Sequence, residues 1–221
     1  MSLVTIDKEK CNLSYSCVRE CPVNAIEVKV NNDYARVIPE RCIGCGSCIR
    51  VCPENAISFQ DSKEETKELL NSEKTKVAIV APSISGEFHD ITDYRKFVKM
   101  IKQLGFNHVN EVSFGADIIA LKYKELFENF KGKYYITSNC PVVVNHVRKF
   151  HPESVNNLAP LVSPMVATAK IVRKKYGSDT KVVYIGPCID SKEEATLYND
   201  DGKIDSVLTF VELRDLFKEF H

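Results

Sequence analysis

Seven of the nine cysteines fall between Cys11 and Cys52, and they fall there twice in the same phrase. The stretch KCNLSYSCVRECP, residues 10–22, returns 31 residues later as RCIGCGSCIRVCP, residues 41–53. Aligned from their Cys-Pro ends, Cys11, Cys17 and Cys21 match Cys42, Cys48 and Cys52, while Ser14 stands opposite Cys45. Each copy runs on into a Val/Ile-rich segment, CPVNAIEVKV in the first and CPENAISF in the second. Two copies that pair their strands and short helical turns make a pseudo-symmetric unit over residues 1–60. A unit so small has little apolar core, so whatever the cysteines bind supplies much of its folding free energy.

A disulfide framework spreads its cysteines through a small secreted chain, whereas thiols crowded like these belong to metal binding in a reducing compartment. A cytoplasmic protein is expected. Cys42-x2-Cys45-x2-Cys48-x3-Cys52-Pro resembles the ligand run of bacterial two-cluster ferredoxins, with soft thiolates suited to iron-sulfur cubanes. Gly44 and Gly46 let that loop wrap closely with its amides toward sulfide. In such proteins the fourth cysteine of each run serves the other cluster. The resemblance therefore implies one 4Fe-4S cluster on Cys42, Cys45, Cys48 and Cys21, and a second site on Cys11, Cys17 and Cys52 with Ser14 at the missing ligand. Three readings of the second site stay open: a 3Fe-4S cluster, a 4Fe-4S cluster with an oxygen ligand from Ser14, water or another donor, or an empty site. Zinc is the alternative for C-x2-C pairs, but zinc sites separate their pairs, and here four thiols share one eleven-residue loop closed by Pro53. Neither a G-x-G-x-x-G nor a Walker pattern surrounds the glycines.

The rest of the chain reads differently. With 30 basic and 30 acidic residues there is no electrostatic case for nucleic acid or an anionic membrane. No apolar run approaches the roughly 18 to 20 residues that cross a bilayer. Residues 61–75 form a charged linker, where Ser62 and Glu65 at capping-box spacing predict a short solvated helix. From residue 76 to 221, KVAIVAPS, HVNEVSF, KYYITS, KVVYIGP and IDSVLTF read as strands alternating with amphipathic helices, two of them stopped by Gly105 and Gly177. The fold class is α/β: a ferredoxin-like α+β two-cluster domain at residues 1–60, then a mostly parallel sheet with helices on both faces. Cys140 follows KYYITS and Cys188 follows KVVYIGP, at the carboxyl ends where open sheets gather their ligand loops. If those strands are neighbours the two thiols share a crevice, and each precedes a helix whose amides favour a thiolate. The competing reading is two ordinary buried thiols. His146 and His151 are five apart, not the four that share a helix face, and His89 and His108 read as polar loop residues.

VAIVAPS, EVSFGAD, TSNCP, GPCIDSKEEA and VLTFVELRDLF, in that order, resemble segments of the iron-only hydrogenases and their sensor-type relatives. That resemblance covers essentially the whole chain and implies a two-cluster domain followed by the front part of the domain that holds the active-site H-cluster. Thr137, Ser138, Asn139, Cys140 and Pro141 match the family's Thr-Ser-Cys-Cys-Pro with one change. The resemblance makes Cys140 and Cys188 ligands of the H-cluster cubane and puts Glu194 at the second motif's acidic position. Asn139 replaces the proton-shuttling thiol, and asparagine has no proton to give near neutral pH. The lysine expected three residues after Cys188 is Ser191, with Lys192 one place on. The third motif, which brings two further cysteine ligands, is expected beyond His221, so a complete H-cluster is not expected on these residues. Three functions follow: an iron-sulfur electron-transfer or redox-sensing protein with a redox partner protein; the front of a hydrogenase whose remaining motif lies outside the chain; or a regulatory docking module with a structural ferredoxin unit. An oligomer is compatible with all three.

Overall fold

The computed structural model describes residues 3–220 apart from Asn31, Lys131, Lys133 and Tyr134. The first sixty residues carry β1 (Val4–Ile6), α1 (Ser16–Glu20), β2 (Ile26–Glu27), β3 (Arg36–Val37), α2 (Ser47–Val51) and β4 (Ile57–Phe59). There follow α3 (Lys63–Leu70), β5 (Lys76–Val80), α4 (Ile84–Glu87), α5 (Tyr94–Gln103), β6 (His108–Glu111) and α6 (Ser113–Glu128). The last third holds α7 (Pro141–Phe150), a 3-10 turn (Pro152–Asn157), α8 (Pro164–Tyr176), β7 (Lys181–Gly186), α9 (Ser191–Ala195), β8 (Ser206–Thr209) and α10 (Phe210–Glu219). Two compact units result, one from Met1–Gln60 with Pro141–Asn156, the other from Asp61–Cys140 with Asn157–His221.

In the first unit the sequence repeat is a structural repeat. α1 and α2 begin 31 residues apart, after Tyr15 and Gly46, which both sit in the left-handed region at φ 58° and 74°. Both helices end at the Cys of the Cys-Pro pair, and Asn24 and Asn55 each turn the chain at φ 49°. β1 pairs antiparallel with β4, joining the unit's ends, and β2 pairs antiparallel with β3. Val4, Ile26, Ala35, Ala56 and Ile57 are buried between these short elements. α7 belongs to this unit although it lies far along the chain: Val142 and Phe150 pack against Val23, Ala25 and Ile43, and Arg41 lies 5.8 Å from the centre of the Phe150 ring.

The second unit is built on a four-stranded, all-parallel sheet in the order β6-β5-β7-β8. Its central strands, KVAIV and KVVYIG, are buried after their first residue, as expected of strands covered on both faces. Phe88, Phe97, Phe210 and Phe217 meet in tilted and edge-on pairs and join α5 and α10 to the same core. α6 and α8 approach closely because Gly115 has no side chain; a Cβ there would lie 2.2 Å from Thr168 Oγ1. Gly105 and Gly177 take positive φ just after α5 and α8, as the sequence predicts. Among the described residues no helix is long and apolar enough to cross a membrane.

Three expectations need correction. KYYITS is not a sheet strand among its described residues: Ile136 makes one parallel bridge to Leu158, and Lys133 and Tyr134 lie outside the described residues. The neighbours of β7 are β5 and β8, so no adjacent strand delivers Cys140. The helix of the charged linker is not a solvated spacer. Ser62 and Thr66 are buried, Thr66 Oγ1 meets Ser206 Oγ at 2.9 Å, and Glu65 accepts from Ser206 instead of closing a capping box. His108 opens β6 and stacks on Tyr176 at 4.2 Å, so it is a strand residue.

Candidate metal centres

The crossed pattern of cysteines appears in the first unit as two separate cavities. Cys21, Cys42, Cys45 and Cys48 line one small cavity, closed on its inner side by Val23, Ala25 and Ile43. Cys11, Cys17, Cys52 and Ser14 line the other. Both voids are open in part to solvent, and their similar size means that the copy with three thiols has not collapsed onto its missing ligand. Backbone amides are aimed at the sulfur of each crossing cysteine: Ala25 N donates to Cys21 Sγ at 3.2 Å and Ala56 N to Cys52 Sγ at 3.3 Å. Gly44 and Gly46 take φ 66° and 74°, and their counterparts Leu13 and Tyr15 take φ 57° and 58° without being glycine. The loop around Ser14 therefore keeps the wrap of the complete copy.

The electrostatics fit a bound iron-sulfur group. Burial is the main cause that pushes the Cys48 thiol up to about 12, with Cys42, Cys45 and Cys21 adding to it. Burial likewise raises Cys42, against the Gly44 amide and the Lys149 ammonium, and raises Cys17, against the Val18 amide. Buried thiolates set beside one another are costly without cations, and iron supplies the charge that reverses that preference. Among the described residues no three His, Cys, Asp or Glu side chains gather closely enough for a single metal ion. The cysteines are instead spread around two small cavities. The wall beside Ser14 is polar: Ser14 N donates to Asn12 Oδ1 at 3.1 Å, and Asn12 Nδ2 to Glu54 Oε1 at 2.8 Å. In the complete copy the corresponding residues are Ile43 and Val23.

In the second unit Cys188 lies two residues beyond β7, half-buried, and Cys140 ends the segment before α7, exposed. Burial raises the Cys188 thiol; Asp190 and Cys140 push the same way, and the amides of Asp190 and Ser191 oppose them. The two thiols thus lie within electrostatic reach of each other, though the route differs from the one expected. The helix-start amides expected at Cys188 are present, but burial outweighs them. Ser138, beside exposed Asn139, is held by Tyr123: its N–H donates to Tyr123 Oη at 2.8 Å, and its hydroxyl donates to Leu161 O at 2.7 Å.

Sequence reading missed Tyr184. Its ring folds back over Gly186, where a Cβ would lie 2.3 Å from the phenol oxygen. Burial, with Cys188 and Glu194 nearby, holds that phenol above its ordinary range, and Ser191 is in hydrogen-bond contact with it. The glycine in YIGP was the available signal. Ser191 therefore faces this site, and Lys192 does not replace the absent lysine. Its buried Nζ donates to Ser62 Oγ at 2.6 Å, Val207 O at 2.7 Å and Glu212 Oε1 at 3.0 Å. His146 and His151 are 5.3 Å apart, with His146 stacked on Phe150 and His151 beside Glu153, an aromatic and ionic arrangement.

Comparison with known proteins finds matches to both the cysteine-rich beginning of the chain and the sheet that follows it. Two models of 4Fe-4S dicluster domains match residues 3–53 and 41–85, and the model of the iron-only hydrogenase large subunit, C-terminal domain, matches residues 74–221. Iron hydrogenase 1 of Clostridium pasteurianum is 31% identical over 251 aligned residues, which take in 98% of this chain and 44% of that protein. The cytosolic Fe-S cluster assembly factor NAR1 of Yarrowia lipolytica is 23% identical over 58% of this chain and 27% of its own length. An apo-FeFe-hydrogenase variant from Chlamydomonas reinhardtii superposes with a TM-score of 0.57 at 22% identity, covering 72% of this chain and 48% of that one. Another solved FeFe-hydrogenase gives 0.56 with the same identity and coverage. The chain thus spans less than half the length of these relatives. With the family model matching well over half of its residues behind a dicluster domain, the chain belongs to the iron-only hydrogenase large-subunit family.

Proposed function

We propose that this chain is a cytoplasmic iron-sulfur electron-transfer protein that exchanges single electrons with a redox partner protein and does not by itself turn over hydrogen. The observation that carries the reading is the pair of similar cavities, one lined by four cysteines and the other by three cysteines and Ser14. Iron-sulfur clusters bound there supply one-electron storage at potentials set by cluster type, hydrogen bonds to sulfur and exposure. Cys42, Cys45, Cys48 and Cys21 hold a 4Fe-4S cluster, and exposed Cys45 marks the edge where a partner approaches. Cys11, Cys17 and Cys52 hold a second cluster, of the 3Fe-4S type or a 4Fe-4S cluster completed by Ser14 Oγ. Exposed Asn139 carries no titrating proton at the position of the family's shuttle, which supports a role without hydrogen chemistry. A relative named for cluster assembly supports the same reading, since a related chain there has a different duty.

A second reading has its own observation. Cys140 and Cys188 lie within electrostatic reach of each other and Cys188 lies near Tyr184, an arrangement that supports two thiols of a cubane ligand set, as in the front part of a hydrogenase. Iron and sulfide counts with low-temperature EPR, before and after dithionite, on anaerobically purified chain and on Cys140→Ala/Cys188→Ala, separate the two. Electron transfer alone predicts equal iron in both proteins, with all signals arising from the first unit. Loss of about four irons from the double variant favours the hydrogenase reading.

A further inference from the structure

One element of the first unit arrives from far along the chain and brings a cation to only one of the two cavities. The last turn of α7 carries Lys149, whose Nζ donates to the carbonyl oxygens of Cys42 and of Pro39, the latter at 3.3 Å. The helix is fixed where it lies. Val142 and Phe150 pack on Val23, Ala25 and Ile43, and Arg41, stacked on Phe150, donates to Val23 O at 3.1 and 3.2 Å. The ammonium is therefore tied to the loop that opens the four-cysteine site.

Among the described residues that line the other cavity there is no lysine or arginine. Cys11, the counterpart of Cys42, is anchored through its amide to Asp7 O at 3.1 Å. The charged residue of its described lining is Glu54, which accepts from Asn12 Nδ2. The two halves repeat each other in backbone but differ in fixed charge, positive at one loop and negative at the other.

We propose that Lys149 is a tuning residue for the site of Cys21, Cys42, Cys45 and Cys48, raising its reduction potential selectively over that of the Ser14 site. The inference rests on the reading that those four cysteines hold a 4Fe-4S cluster. One electron from a reduced carrier protein adds one negative charge to that site. A fixed ammonium nearby favours the reduced form, in a partly buried setting where solvent screens it incompletely. With Lys149 in place the four-cysteine site competes better for that electron, and Glu54 disfavours it at the other.

The test is a potentiometric titration of the full chain followed by EPR, with Lys149→Met, Lys149→Gln and Lys149→Arg beside the parent. In the Met and Gln variants the oxidised-to-reduced ratio of the four-iron signal at a given potential rises about tenfold, equivalent to about 59 mV for one electron. The Arg variant titrates with the parent, and the signal of the Ser14 site does not move in any of them. Neutral variants that titrate with the parent, or that shift both sites alike, overturn the proposal. So does loss of the four-iron signal in both, because a residue needed to keep the cluster is a clamp. A parent chain that shows no four-iron signal on reduction overturns the ligand reading itself, and the tuning role with it.

Discussion

At Ser14 one oxygen stands where the repeat demands a sulfur, and the residues on either side show that the backbone has not adjusted to the change. Leu13 and Tyr15 hold left-handed conformations that the second copy gives to glycine, each at a cost of about 1–2 kcal/mol. Strain of this kind persists where the surrounding structure imposes it, and it concentrates at functional sites. The loop is thus already shaped for a fourth thiolate. Ser14→Cys is expected to raise the iron count to that of two complete cubanes and to replace any three-iron EPR signal with a second four-iron one. A reconstituted variant that still lacks the fourth iron there contradicts this. The gap at Ser14 was legible in the sequence because the repeat itself carries it, and the ferredoxin resemblance implied the grouping in which Cys21 joins the lining of Cys42, Cys45 and Cys48. The polar wall of Asn12 and Glu54 was not, since its meaning appears only when the two copies are laid on one another in space.

Among the elements, α3 shows how a charge-rich segment is misread. Its composition suggests a wet connector, yet Ser62 and Thr66 are buried, and buried Lys192 and Glu212 meet at its start. Glu212 also accepts from Thr209 N and Oγ1 at 2.7 Å, closing the capping box of α10. One ion pair therefore joins α3, α9, β8 and α10. Lys192→Met leaves Glu212 buried without its cation and is expected to cost about 3–5 kcal/mol in urea unfolding. Adding Glu212→Gln to that variant should recover part of the loss; if Lys192→Met alone unfolds like the parent, the pair is not the joint described. Periodicity revealed the helices and both central strands. It did not reveal what each polar position touches, because a lone Lys or Ser has the same sequence pattern whether solvated or buried against a partner.

For the molecule as a whole, the order of domains along the sequence was legible, and the return of residues 141–156 to the first unit was not. PVVVNHVRKF announces an amphipathic helix, but nothing in it names Val23 and Ile43 as the surface it covers. A fragment of residues 1–60 therefore lacks part of its own core. Loaded with iron and exposed to a chelator, it is expected to lose absorbance several times faster than the full chain. Equal rates would mean that α7 adds nothing to cluster retention. The same discontinuity sets a sequence of events during synthesis. The thiol loops are made before the helix that packs beside one of them, which emerges after β5 and β6 but before β7 and β8. Until then that loop lacks the cover of Val142 and Phe150, so the core of the first unit is completed only once elongation has passed residue 150, and a cluster bound there would gain that cover only then.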